Sequence, residues 1–268
     1  MNKIHIKSQD EIVLMRNAGR LLAKVFAALD DFIKIGISTL EINDFVEDYI
    51  VHTLRARPAS KGQYGYQYVL NSSINEVVCH GVPSKGKKLR EGDIVNMDIT
   101  LEKDGFIADS SKMYSIGKIL PIAKKIMAVS YEAMWEGICH VKPGSTTGDI
   151  GYAIQHYAEK NGFSVVRDYC GHGIGRAMHE EPPIPHFGKP ATGITLKEGM
   201  VFTVEPMINQ GTYKVKQKKD GWTVITKDRK LSAQWEHTVL VTASGFEVLT
   251  LRNEEILPCS VKLASRPY

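Results

Sequence analysis

Cysteine is scarce in this sequence, and its four copies, Cys79, Cys139, Cys170 and Cys259, form no C-x-x-C pair and no regular spacing. That excludes a disulfide-framework fold and the paired-thiolate spacing of structural zinc, and makes reduced thiols in a cytoplasm the expectation. Long apolar runs are missing too; none approaches the ~20 residues that a membrane span needs. The opening MNKIHIKSQDE lacks the uninterrupted apolar stretch of a secretory signal. There are two basic clusters, Lys85, Lys87, Lys88 and Arg90, then Lys214, Lys216, Lys218 and Lys219. Neither is interleaved with aromatics as a single-strand-binding platform is. A net charge of +4 reads as a mildly basic, solvated surface rather than a specific DNA-binding face. What remains, 43% apolar and 24% charged residues over 268 positions, suits a soluble globular enzyme with a full core.

The chain repeats itself once. Lys34-Ile-Gly36-Ile-Ser-Thr39-Leu-Glu-Ile42 returns as Lys142-Pro-Gly144-Ser-Thr-Thr147-Gly-Asp-Ile150, 108 residues later. Leu89-Arg-Glu91-Gly92-Asp-Ile-Val95-Asn-Met-Asp98 returns as Leu196-Lys-Glu198-Gly199-Met-Val-Phe202-Thr-Val-Glu205, 107 residues later. Two matches at nearly one offset predict a duplicated half, too long for a solenoid unit. The expectation is one catalytic domain over 1–268 with related halves at about 10–120 and 121–250. Each half opens with apolar residues at helical spacing: Ile12, Met15, Ala18 and Leu22, then Ile122, Ile126, Val129 and Ala133. A Lys-x-Gly turn follows, with Ser38/Thr39 and Thr146/Thr147 as N-cap candidates for a second helix. β-branched segments joined by Gly- and Asp-containing turns come next. The pattern predicts an α+β fold with pseudo-twofold symmetry and helices outside a curved antiparallel sheet.

Both copies of the second repeat segment end on a carboxylate, Asp98 and Glu205. Alternation puts Ile94, Asn96, Asp98 and Thr100 on one strand face. The turn at Lys103-Asp104-Gly105 returns the chain through Asp109. If Asp104-Gly105 is the two-residue turn, Asp98 faces Ser111; if Lys103-Asp104 is, Asp98 faces Asp109. In either register both aspartates project from one face, which is unfavourable unless something positive lies between them. Glu205 and Glu236 each follow a mainly apolar strand, poor company for an unpaired charge. His172 lies in Tyr-Cys-Gly-His-Gly-Ile-Gly, where glycines permit close approach. Four carboxylates and one histidine, converging, would suit two divalent cations; Mn²⁺, Fe²⁺ or Co²⁺ fit that set better than structural Zn²⁺, although Zn²⁺ is compatible.

These segments resemble the type I methionine aminopeptidases, metallopeptidases of the pita-bread fold. The matching motifs are Ile74-Asn-Glu-Val-Val-Cys-His80-Gly-Val-Pro83, Asn96-Met-Asp98-Ile-Thr100 and Asp104-Gly-Phe-Ile-Ala-Asp109-Ser-Ser-Lys112. They continue with Cys170-Gly-His172-Gly-Ile-Gly-Arg176, His179-Glu-Glu-Pro182, Thr203-Val-Glu205-Pro206 and Gln234-Trp-Glu236-His237-Thr238. They run in the family's order over essentially the whole chain. The resemblance implies that Asp98, Asp109, His172, Glu205 and Glu236 ligate metal, with Asp109 and Glu236 bridging. It makes His80 and His179 catalytic histidines facing the substrate amide, with Glu205 as proton shuttle. It also lines the methionine pocket with Tyr66, Asn71, Met178 and Trp222, where Asn71 and Met178 depart from the cysteine and aromatic common in bacterial relatives. His186 and His237 read as structural, His237 pointing to the opposite strand face.

The implied activity is removal of the initiator methionine from nascent polypeptides with a small second residue, by metal-activated hydroxide. The alternatives are an X-Pro aminopeptidase or dipeptidase of the same fold, and a non-catalytic peptide- or ribosome-binding relative. The first repeat helix begins by about Glu11, which argues against the separate N-terminal domain usual in the proline-specific enzymes. The short interval between His179 and Glu205 leaves no space for the type II insertion, and no zinc-finger extension is seen, as in the short bacterial subtype. The expected partners are nascent N-termini, with weak ribosome association through the basic clusters as a secondary idea, and the expected state is a monomer.

Overall fold

The computed structural model describes residues 3–257; Cys259 lies outside them. Helix α1 (Gln9–Phe32) starts at Ser8, whose side chain accepts the Glu11 N–H while Glu11 caps Ser8 in return. The same reciprocal cap starts α2 (Thr39–Asp48) at Ser38 with Glu41, and α4 (Thr147–Lys160) at Thr146 with Asp149. Each cap satisfies two otherwise orphaned N–H groups. Proline opens α3 (Pro121–Ile138), where its missing N–H costs nothing. The two Lys-x-Gly turns make like bonds: Gly36 N–H donates to the Leu89 carbonyl at 2.8 Å, and Gly144 N–H to that of Leu196 at 3.0 Å.

In the first half, strand Ile94–Lys103 lies between Leu70–Ile74 on one side and the hairpin partner Phe106–Ser115 on the other. Asp104 and Gly105 have φ of 53° and 81°, a two-residue turn with both residues left-handed. The register is thereby set: Asp98 opposes Ser111, and Thr100 opposes Asp109. Alternation then separates two environments on one strand. Val95, Met97, Ile99 and Leu101 pack with Leu22, Phe26, Ile42 and Val46 of α1 and α2, while Asp98 and Thr100 turn to the opposite side.

The second half builds a five-stranded sheet in the order Phe246–Val248, His237–Val241, Val201–Val204, Gly171–Gly173 and Glu180–Ile184. Phe202, Val204, Val239 and Val241 pack with Ile126, Ile150 and Ile154 of α3 and α4. The two sheets are stitched where the acids lie. Ser111 bridges Glu236, and Ser110 Oγ donates to the Glu236 carbonyl at 2.7 Å. Asn96 Nδ2 donates to the Gln234 carbonyl at 2.8 Å, and Thr238 Oγ1 to that of Asp109 at 2.7 Å.

Candidate metal centre and active site

At this junction lies a cavity of about 350 Å³, bordered by Asp98, Asp109, His172, Glu205 and Glu236 on its floor and by His80, His179, Tyr66, Asn71, Met178 and Trp222 around it. All eleven candidate side chains therefore meet at one site, although they come from both halves of the chain. Asp109, His172 and Glu236 each offer a ligand atom within 4.8 Å of the others. His172 Nε2 is 3.5 Å from Glu205 Oε1 and 3.8 Å from Asp109 Oδ2.

The charge balance is unfavourable for a protein alone. Burial lifts Asp98 to about 6 against the opposing pull of its Asn71 bond, and lifts Glu205 to about 8. Asp109 and Glu236 are pushed well above the ordinary range, first by burial and then by neighbouring carboxylates. Asp109 Oδ1 and Glu236 Oε1 are buried with no hydrogen-bond partner. Orphaned carboxylate oxygens in a desolvated cluster call for a cation.

His172 stands at a register shift: the single step from His172 to Gly173 faces the three from Pro183 to Glu180, so the partner strand bulges at Glu181 and Pro182. Its N–H donates to Thr203 Oγ1 at 2.9 Å, and its Nδ1 lies 3.0 Å from the Gly173 carbonyl. A carbonyl can only accept, so Nδ1 carries the proton and Nε2 presents a lone pair to the carboxylates. Burial pushes the ring down to about 3, so it is neutral at pH 7.

The walls are built differently. His80 is held at a φ of 54°, a conformation uncommon for a non-glycine residue, with its ring edge-on to Tyr169 at 5.6 Å. His179 packs edge-on to His172 at 4.4 Å, and the Tyr64 hydroxyl lies 3.3 Å from its Nδ1. Burial lowers both histidines, so both are neutral at pH 7. Tyr66 and Trp222, with ring centroids 4.9 Å apart, border an apolar slot with Met178. Asn71 pairs with Asp98 across the strands, and its Nδ2 donates to Asp98 Oδ2 at 2.9 Å. It thus touches the acid cluster as well as the slot.

Sequence reasoning missed the residues that hold the acids. Thr203 Oγ1 donates to Glu205 Oε1 at 2.8 Å, and Gln234 Nε2 to Oε2 at 3.3 Å. Thr203, Gln234 and Thr238 each lie two residues from a candidate ligand, so strand alternation was the signal that could have found them. His186, read as structural, accepts the Glu205 N–H at its Nε2 (3.1 Å) from a fully buried position. His237 does face away, its ring nitrogens bonded to Thr250 and Glu255.

A helix-backed double sheet with an acid–histidine centre at its seam defines a class. Residues 13–243 match the model of metallopeptidase family M24, and the chain belongs to that family, with its pita-bread fold. Within it, the chain is 49% identical over 258 residues to the methionine aminopeptidase of Salmonella typhimurium strain LT2, covering 96% of this chain and 98% of that protein. The crystal structure of methionine aminopeptidase from Rickettsia prowazekii superposes with a TM-score of 0.91 at 48% identity, covering 93% of this chain and 100% of that one. The prolidase from Pyrococcus furiosus, with a TM-score of 0.74 at 24% identity, shares the fold, and this chain covers 66% of its length. Among the described residues no helix is long and apolar enough to cross a membrane.

Proposed function

We propose that this chain hydrolyses the first peptide bond of polypeptides that begin with methionine and have a small second residue, acting in the cytoplasm on nascent N-termini. The observation that carries the reading is the acid–histidine cluster on the floor of an aromatic-walled slot. The donor set, four carboxylates and one imidazole nitrogen with two orphaned oxygens, fits divalent cations such as Mn²⁺, Fe²⁺ or Co²⁺. Asp98, Asp109, His172, Glu205 and Glu236 would hold the metal. Such ions, when bound, supply Lewis acidity and lower the pKa of a coordinated water toward neutrality.

The chain's own residues do the rest. Tyr66, Met178 and Trp222 receive the methionine side chain, since a flexible thioether makes favourable contacts with ring edges. His80 and His179, neutral and bearing one N–H each, donate to the scissile amide and to the oxyanion as charge develops. Glu205, steadied by Thr203, Gln234 and His186, carries a proton to the leaving amine. Crowding beside His80 and His179 admits only Gly, Ala, Ser and similarly small second residues. All eleven side chains come from one chain, which fits action as a monomer. Purified protein assayed on Met-Ala-Ser against Ala-Pro peptides, with and without chelator, tests the reading. Chelator-sensitive cleavage of Met-Ala-Ser alone is expected, and preference for Ala-Pro would overturn it.

A second reading adds ribosome association. The Lys87 pKa is lowered by burial and then by Lys218, with Asp220 opposing, so one lysine from each basic cluster stands near the other where they could meet RNA phosphates. Co-sedimentation with ribosomes that is weakened by salt and by changing these lysines to glutamate is expected; binding indifferent to both would dispose of it.

A further inference from the structure

The N-terminal segment carries a lysine that the reaction does not use and the fold has gone to some length to bury. Lys7 is 4% exposed, and its ammonium donates to Glu180 Oε2 at 2.6 Å across 173 residues of sequence. Two glycines make room for it. A Cβ on Gly175 would stand 2.7 Å from Lys7 Nζ and 2.8 Å from Glu180 Oε1. A Cβ on Gly199 would stand 2.7 Å from Ile6 and 3.1 Å from the Lys7 carbonyl oxygen, whereas in the structure the Lys7 N–H donates to the Gly199 carbonyl at 2.8 Å.

The partner is what gives this burial a consequence. Glu180 directly follows His179, and its other oxygen accepts the Ala177 N–H at 3.2 Å. Gly175 N–H donates to the Ala177 carbonyl at 3.1 Å, and the Ile107 N–H to the Gly175 carbonyl at 2.7 Å. Residues 175–180 are thus a tight loop closed at its end by Glu180, and Met178 and His179 sit inside it. A buried ion pair adds little stability over an apolar substitute, but breaking one side leaves an uncompensated charge and frees the geometry it held.

We propose that Lys7 is a positioning residue: its pair with Glu180 straps the N-terminal segment across the 175–180 loop and sets where Met178 and His179 stand. This rests on the function proposed above. None of the candidate ligands lies on the loop, so the strap acts first on the substrate side of the site; the loop's ties to the ligands are the Met178 backbone and the His179 ring, both against His172. Catalysis is sensitive to displacements of ~1 Å, which typically cost ~10² in rate.

The test uses Lys7→Met, which keeps the stem and removes the charge, Glu180→Gln, and the two combined. Metal-loaded protein is assayed for kcat and KM on Met-Ala-Ser, Mn²⁺ binding is measured by calorimetry, and hydrogen exchange is followed at the Ala177 amide. Each single variant is expected to lower kcat ~10- to 100-fold, to change Mn²⁺ affinity by less than it changes kcat, and to speed Ala177 exchange roughly tenfold or more. The combined variant, free of any lone buried charge, stays as slow in turnover as the singles. Recovery of kcat in the combined variant would overturn the positioning role, since an unpaired charge would then be the whole effect. An unchanged Ala177 exchange rate would overturn the strap itself. Should Lys7→Met fail to accumulate, Glu180→Gln carries the same readings. If no protein cleaves the peptide, the proposed function has failed while the exchange rate still decides whether the strap exists.

Discussion

Replacing Glu255 by glutamine should cost this protein about 3 kcal/mol. Arg252 is a fully buried arginine, 2% exposed, that donates to Glu255 Oε1 at 2.7 Å and to Ser110 Oγ at 3.1 Å. Burial alone would raise the Glu255 carboxyl, yet His237 and Arg252 hold it down to about 2, against an ordinary 4.5. Burial keeps His237 itself low, so at neutral pH the guanidinium supplies the charge. With His237 neutral at pH 7 the shift overstates the pair there, so the loss is taken at the lower end of the ~3–5 kcal/mol typical of breaking a buried pair, here the one with Arg252. For a chain of this size that lowers Tm by roughly 6–12 °C. Thermal and urea unfolding at pH 7 read it. Because the folded carboxyl is depressed, its contribution is present above about pH 4.5 and lost as pH falls toward about 2. The gap between the two proteins should therefore narrow over that window. A loss below about 1 kcal/mol at pH 7, or a gap that does not narrow, would refute the reasoning.

Glu205→Gln is expected to keep the fold and lower kcat by roughly 10²–10³; peptide turnover with circular dichroism checks it, and near-normal turnover would remove Glu205 from the proton-transfer role. Asn71→Ala removes a donor from half-buried Asp98 and should weaken Mn²⁺ binding about tenfold by calorimetry; unchanged affinity would mean that the bond does not steady the acid. Raised to about 6 and 8, Asp98 and Glu205 favour the metal-free fold fully below about pH 4 and cease to do so as pH rises through those values. The rise in Tm on adding Mn²⁺ should accordingly be larger at pH 8 than at pH 5, and equal rises would count against a cation among these acids. Met-Ala and Met-Ser peptides should be cleaved far faster than Met-Leu or Met-Lys, and Leu-Ala poorly; equal rates across second residues would remove the crowding argument, and rapid Leu-Ala cleavage the methionine slot.

Much of this is legible in the sequence because the signals are local. Ser38 with Glu41 and Thr146 with Asp149 announce helix starts through contacts spanning three residues. The two-residue period puts Asp98 and Thr100 on one face whatever lies opposite. Two hairpin registers remained because Lys103-Asp104 and Asp104-Gly105 both make plausible turns; the left-handed pair at Asp104 and Gly105 chose between them. Other features belong to tertiary structure alone. The bulge opposite His172, the bond from Asn71 to Asp98, the His186 ring behind Glu205 and the Lys7–Glu180 strap each join groups that no periodicity relates. Local pattern assigns a side chain to a face, since that depends on backbone geometry over a few bonds. Which buried atoms then meet across that face depends on how the two halves close on each other, and only there does an acid acquire the neighbours that set its charge.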